Sequence, residues 1–298
     1  MKKADFVNPF ELSGNWYKAN FHTHTTLSDS SKSPEDTVRD YGKAGYDVLV
    51  MTDHLKTNPV RKYNGKNKML VISGMELHPA VPGRKDLFHM VAINVPQTFT
   101  STQGMDAQKA INDANKAGGL VTLAHPFWCG LEYADFKHLK GLAAIEVWNT
   151  ICDVAAGRGT SENEWAYMLD RGMTLPAIGV DDTHGGPTDI FGGWTWLKMK
   201  SPTTANVLKA IRSGACYATT GPVIKDCRIE DGKLKLKCSP VKTINFKAGP
   251  GAGLRKNADD GKAIGSYTVD APTSWPFVRA VVTDANGKQA WTQPIFMK

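Results

Sequence analysis

The chain has 298 residues, more than one hydrophobic core usually holds, so a large domain with a smaller companion is expected. Apolar residues make up 41% and charged residues 22%, a globular balance that excludes a disordered or fibrous chain, and no run approaches the ~18 apolar residues of a membrane span. The net charge of +7 lies mostly past Asp226, where 12 Lys and Arg face 7 Asp and Glu. With no basic stripe interleaved with aromatics, this excess predicts a solvated lysine-rich β surface and no nucleic-acid partner.

In chain order, Met1–Phe6 carries two lysines with no apolar stretch behind them, unlike an intact signal peptide. Ser33-Pro34-Glu35-Asp36 combines an N-cap, a proline at the first helical position and two acids, and opens a helix ending near Gly42–Gly45. The strand Asp47–Met51 follows, then the apolar run Met69–Ile72. A second helix over about Ala107–Lys116 stops at Gly118-Gly119, before the strand Leu120–Ala124. Ser161-Glu162-Asn163-Glu164 has the form of a capping box for a helix running to Arg171 and closed by Gly172. The strand Thr174–Val180, the helix Thr203–Ser213 and the strand Ala215–Thr219 complete a strand–helix alternation typical of an α/β barrel or doubly wound sheet. Beyond Gly221-Pro222 the pattern changes to short strands: Cys227–Glu230, Leu234–Cys238, Ile244–Ala248, Phe277–Thr283 and Gln289–Thr292, with Asp231-Gly232 and Asp284–Gly287 as turns. The expected organisation is therefore residues 1–225 as an α/β domain and residues 226–298 as a small antiparallel β domain.

Seven of the eight histidines fall in one ordered series: His22-Thr23-His24, Asp29, Asp53-His54, Glu76-Leu77-His78, His89, His125 and Asp182-Thr183-His184. Several apolar runs lead directly into these residues, which predicts ligands delivered at strand ends to one mouth of a barrel. Imidazole and carboxylate together are the ligand set of Mn, Zn and Fe. Two apart on a strand, His22 and His24 point to the same face. The five cysteines, odd in number and without a Cys-x-x-Cys pair, predict reduced thiols and a cytoplasmic setting.

The order His-x-His, Asp, Asp-His, Glu, His, His, Asp-x-His resembles the motif series of the Polymerase and Histidinol Phosphatase (PHP) family, over residues from about 17 to 222. Ala210–Pro222, together with Val278–Gly287 and Ala290–Ile295, is similar to the branch of that family around bacterial carbaryl hydrolase. The resemblance implies a distorted (βα)7 TIM-like barrel holding two to three divalent transition metals. It implies that His22, His24, Glu76 and Asp182 hold a first ion, that Glu76 bridges to a second held by His89 and His125, and that Asp29, His54 and His184 hold a third. Asp29, in Ser28-Asp29-Ser30, equally suits an Asx turn. Asp53 and Asp181 are expected to orient ligands from outside.

The expected reaction is hydrolysis of a small anionic phosphate ester by a metal-bound hydroxide, with Glu76 and Asp182 central and His78 either contacting substrate or protonating the leaving group. The alternatives are hydrolysis of a carboxylic or carbamate ester, and a metal-binding module without turnover. Trp128, Trp148, Asn149 and Arg158 sit in or just after strand ends, and Trp128, Asn149 and Arg158 are the candidate substrate contacts. His138 is expected on a solvated helix and Cys129 as an inert thiol near the site.

Overall fold

A computed structural model of the chain describes residues 6–64 and 68–297; most of the N-terminal segment read above lies outside the described residues. The first part of the chain runs β1 (Asn15–Asn20), α1 (Pro34–Lys43), β2 (Val48–Met51), β3 (Leu70–Leu77), β4 (Met90–Ile93), α2 (Ala107–Lys116), β5 (Leu120–Leu123), α3 (Tyr133–Phe136), β6 (Leu142–Asn149), α4 (Thr150–Ala156), α5 (Glu162–Asp170), β7 (Ala177–Val180), β8 (Trp194–Met199), α6 (Thr204–Ser213) and β9 (Cys216–Thr219). The tail adds β10 (Ile224–Glu230), β11 (Lys233–Val241), β12 (Thr243–Lys247), β13 (Gly253–Asn257), β14 (Ile264–Asp270), β15 (Phe277–Thr283), β16 (Gln289–Thr292) and β17 (Ile295–Phe296).

The helices start where the capping chemistry places them. The Ser33 hydroxyl accepts from the Asp36 N–H at 3.1 Å, with Pro34 behind it, and the Asp106 carboxylate accepts from the Lys109 N–H at 2.7 Å. On α2, Ala107, Ala110, Ile111 and Ala114 are buried at helical spacing, so small side chains let this helix lie close on the sheet. The capping box expected at Ser161 does not form. Ser161 makes no cap bond to its own helix; its hydroxyl accepts instead from the Phe127 N–H at 3.2 Å.

One large sheet carries β13-β12-β15-β16-β9-β8-β1-β2-β3-β4-β5-β6-β7 in spatial order. β1–β2, β2–β3, β5–β6 and β6–β7 pair in parallel. The expected alternation is broken at β4, which runs antiparallel to both β3 and β5 and enters from β3 without an intervening helix. This reversal has a purpose in the layout: Met90 at the start of β4 pairs with Leu77 and Leu123 at the ends of β3 and β5. Past their strands, the segments following β1 and β7 also meet. The Asp182 N–H donates to the His22 carbonyl at 2.9 Å and the His24 N–H to the Thr183 carbonyl at 3.0 Å. The ends of β1, β2, β3, β5, β6 and β7 and the beginning of β4 thus surround one centre.

The tail is continuous with this sheet, because Ala290–Thr292 pair with Tyr217–Thr219 across β16 and β9. A second sheet, β10-β11-β14, is separate from it, and Ile224, Leu234 and Leu236 from that sheet share a core with Phe246 and Val282 from the large one. Two contacts fasten the tail to the first part. Gln293 brackets Ala177 at the start of β7, accepting from its N–H at 2.9 Å and donating to its carbonyl at 2.7 Å. Glu162 on α5 accepts from Arg279 at 2.9 Å, Lys247 at 2.5 Å and the Trp291 indole at 3.2 Å. Trp291 is fully buried and stacks on Trp148 at 6.2 Å, whereas Trp275 is half-buried against the tail's own core.

Candidate metal centre

Every residue of the expected ligand series reaches this centre. Glu76 stands in the middle of it. One of its carboxylate oxygens, Oε1, lies 2.8 Å from His89 Nδ1 and 3.6 Å from His125 Nε2. The other, Oε2, lies 3.4 Å from His22 Nε2, 3.3 Å from His24 Nε2 and 2.7 Å from His54 Nδ1. Asp182 faces the same nitrogens from the opposite side, its Oδ1 at 3.2 Å from His22 Nε2 and 2.9 Å from His24 Nε2, and its Oδ2 at 3.6 Å from His125 Nε2. At the rim, Asp29 Oδ2 lies 3.3 Å from His54 Nε2 and 3.4 Å from His184 Nε2. The groupings close enough to hold an ion include His22, His24 and Asp182; His22, Glu76 and His125; His24, Asp29, His54 and His184; His89, His125 and Cys129; and His54, Glu76 and His78.

Five of the imidazoles meet a partner through Nδ1. His22 Nδ1 bonds Glu146 Oε1 at 2.8 Å, His24 Nδ1 contacts Ser28 Oγ at 3.4 Å, and His54 Nδ1 lies 2.8 Å from His78 Nε2. His125 Nδ1 contacts Cys129 Sγ at 3.4 Å, and His184 Nδ1 donates to the Asp182 carbonyl at 2.9 Å. The His22, His24, His125 and His184 rings are thereby held through Nδ1 with Nε2 turned toward a carboxylate, which is how outer partners fix a ligating imidazole. His54 instead has a carboxylate at both nitrogens, Glu76 at Nδ1 and Asp29 at Nε2. The backbone is held to the same end. His125 and Asp182 adopt positive φ of 24° and 58°, a conformation that costs a residue with a side chain about 1–2 kcal/mol.

The donor set fits a metal on a second count. His22 Nε2, His24 Nε2, Glu76 Oε2 and Asp182 Oδ1 are all buried, and although the nitrogens lie 2.9–3.4 Å from the oxygens, none of the four makes a hydrogen bond of good geometry. Leaving one such group unsatisfied costs roughly 1–3 kcal/mol, and a divalent cation would satisfy all four at once. Protonation reflects the same crowding. Burial alone would push the His24 ring down, but Asp182 and Glu76 raise it to about 9. Burial would likewise raise Glu76, yet the His22 and His89 rings hold it well below the usual carboxylate range.

The two aspartates expected to orient ligands bond backbone and hydroxyl groups and no ligand ring. Asp53 accepts from the Thr25 N–H at 2.8 Å and the Ser28 N–H at 3.0 Å, fixing the turn that carries Ser28 and Asp29. Asp181 accepts from the Tyr41 hydroxyl at 2.8 Å and the N–H groups of Phe191, Gly192 and Gly193.

Four expectations require correction. Asn149 is fully buried and is no substrate contact: its amide donates to Glu146 and Asp182, each at 3.0 Å, and its oxygen caps α4. Arg158 is exposed and stacks over the Phe127 ring at 5.1 Å, outside the cavity lining. His78 meets His54 rather than the cavity. Burial drives its ring down to about 4, so near neutral pH it carries no extra proton to give a leaving group. His138 is exposed in the turn after α3, not on a helix.

Glu146 was missed. It bonds His22, accepts from the His125 N–H at 3.1 Å and receives the Asn149 amide. The one available signal was a lone acid inside the apolar run Leu142–Trp148, where burial demands a partner. In the tail, Asp226 pairs with Arg228, Glu230 with Lys235, and Asp284 caps its own turn; none of them is near the centre.

The cavity at the centre has a volume of about 250 Å³. Its lining is Asp29, His54, Glu76, His89, His125, Asp182 and His184 on the polar side, with Trp128, Ile151, Cys152 and Ala155 completing it.

No protein-family model matches this sequence, and no curated protein does. Among solved structures the chain is similar to a two-domain protein from Bacteroides vulgatus containing a predicted PHP-like metal-dependent phosphoesterase. The identity is 17% and the TM-score 0.55, over 94% of this chain and 95% of that one. Weaker likenesses are to an amidohydrolase from Chromobacterium violaceum (14% identity, TM-score 0.46, 57% of this chain and 89% of that one) and to a lesion-specific endonuclease from Pyrococcus furiosus (14%, 0.47, 66% and 56%). The first likeness shows that the chain shares that protein's fold over nearly its whole length. No helix among the described residues is long and apolar enough to cross a membrane.

Proposed function

We propose that this protein is a metal-dependent hydrolase of a small phosphate ester. The observation that carries the reading is the convergence of four buried nitrogen and oxygen atoms without a hydrogen bond of good geometry, from His22, His24, Glu76 and Asp182, on one point. In this reading those four residues hold a first ion. Glu76 bridges to a second held by His89 and His125, and Asp29, His54 and His184 hold a third. Bound Mn, Zn or Fe would supply an activated water and Lewis-acid stabilisation of phosphoryl charge. The chain's own part is positional: Glu146, Ser28 and Cys129 fix their imidazoles, Asp53 fixes the rim turn, and His78 steadies His54. A cavity of about 250 Å³ is at the small end for ligand sites, which favours a small ester. The Bacteroides protein of this fold is named for a metal-dependent phosphoesterase, in line with this reading. We read the ring of strand ends as a distorted barrel over residues 1–225, with residues 226–298 as its β domain.

One observation favours a second reading, hydrolysis of a carboxylic or carbamate ester: among the described residues no Lys or Arg lines the cavity, so the ions would have to neutralise a phosphate. The resemblance of Ala210–Pro222 to the carbaryl-hydrolase branch points the same way. The test is a hydrolysis screen of phosphomonoesters, phosphodiesters, carboxylic esters and carbamates with Mn-, Zn- and Fe-loaded protein, alongside elemental analysis. Two to three equivalents of metal and phosphoester turnover are expected. Carbamate or carboxylic ester cleavage without phosphatase activity would replace the first reading by the second, and less than one equivalent of metal after reconstitution would overturn both.

A further inference from the structure

The cavity has two unlike halves, and only one is explained by metal binding. The other is built by Trp128 and by Ile151, Cys152 and Ala155 of α4. Ile151 and Ala155 are four apart on a helix and share one face. That helix is fixed at its start, where Asn149 accepts from the Cys152 N–H at 3.1 Å, and at its end by Gly157 in a left-handed conformation. Trp128 is 41% exposed, an unusual state for the largest apolar side chain beside a polar centre. It is not loose. The rings of His89 and His125 meet it edge to face, at 5.5 Å and 63° and at 5.2 Å and 86°. Arg158 lies over the Phe127 ring and is not among the residues lining the cavity.

We infer that this half receives the leaving group of the ester, that the group is apolar and about the size of one ring, and that Trp128 is the specificity-determining residue for it. The inference rests on the cavity being the hydrolytic site. The reacting group is drawn to the ligand half, so the remainder of the substrate must lie on the remaining wall. A leaving group bearing further charge, such as a second phosphate or a carboxylate, would find no cation there and would lose hydration without compensation. An apolar ring would instead displace water from Trp128, Ile151 and Ala155, and could lie offset against the indole.

The test compares phenylphosphonate with methylphosphonate by calorimetry on the metal-loaded protein, which reads binding without turnover. It also compares kcat/KM for 2-phenylethyl phosphate with that for ethyl phosphate, whose leaving alcohols differ little in basicity. Phenylphosphonate should bind at least about tenfold tighter, and the kcat/KM ratio should favour the phenylethyl ester by about 10–100-fold. Both preferences should collapse in Trp128→Ala, be largely restored in Trp128→Phe, and shrink in Ile151→Ala, with metal content measured for each variant. Equal binding of the two phosphonates, or a preference that survives Trp128→Ala with metal retained, would overturn the inference. If no phosphoester is cleaved, the phosphoesterase reading fails separately. The wall is then judged by the same ratio on 2-phenylethyl against ethyl carboxylic esters: a phenylethyl preference lost in Trp128→Ala upholds it, and no preference overturns it.

Discussion

Glu146→Gln isolates the contribution of a residue that touches no metal. Glu146 Oε1 lies 2.8 Å from His22 Nδ1, and both side chains are buried. A hydrogen bond to a charged group contributes about 1.5–3 kcal/mol. Glutamine keeps the shape but offers only one acceptor oxygen. If that oxygen stays with the His125 N–H and the Asn149 amide, the NH2 group faces His22 Nδ1. The ring must then carry its proton on Nε2, the atom that points at Glu76 and Asp182. At about 1.4 kcal/mol per tenfold, metal affinity should fall roughly 10–100-fold, the range seen when outer partners of ligands are changed. Competition of Zn or Mn against a chelating dye measures this, and thermal unfolding of the metal-free protein checks that the fold persists. A folded variant with wild-type affinity would refute the assignment of Glu146 as the group that sets the His22 tautomer.

Glu76→Ala should lose more than one equivalent of metal and at least about 100-fold in activity, because both of its oxygens face imidazoles of different groupings; elemental analysis and initial rates decide it. Glu162→Ala should lower the melting temperature by about 6–20 °C, since it leaves Arg279, 3% exposed, without a partner, at a cost of about 3–5 kcal/mol. A change of under 2 °C would show that Glu162 does not fasten the tail. Metal loading of the metal-free protein near neutral pH should release protons, because His24, raised to about 9, must give one up to ligate; a pH-stat reading of no release would contradict the raised value. The sign for stability follows. A raised folded-state pKa stabilises the metal-free protein fully below about pH 6.5 and loses that contribution as pH climbs through about 9. Melts across that window should therefore decline, and metal should remove the decline.

Much of the layout was legible because local chemistry decides it. The N-cap at Ser33, the helix Ala107–Lys116 and the strands Phe277–Thr283 and Gln289–Thr292 occupy the expected positions. β13 and β14 were hard to read because neither contains a fully buried residue: β13 has a single apolar side chain, Leu254, and the alternation in β14 runs only over Tyr267–Asp270, at the lower limit for a strand signal. The box at Ser161 failed for a different reason: its hydroxyl had a tertiary claimant, the Phe127 N–H, that a local reading cannot see.

For the centre, the sequence by itself determined the inventory. Imidazole and carboxylate are the residue types a divalent cation requires, and their order along the chain survives without knowledge of contacts. What only the tertiary structure decided was which atom of each residue faces inward and which residues merely hold others. Glu146, 124 positions from His22, sets a tautomer through a bond that no spacing encodes. Asn149 and His78 turned from expected substrate or catalytic groups into scaffold once their partners were visible. The physical reason is that a ligand's identity is a property of its side chain, whereas its orientation is a property of the packed surroundings. Those surroundings come from β1, β3, β6 and β7, which the chain brings together only when the sheet has formed.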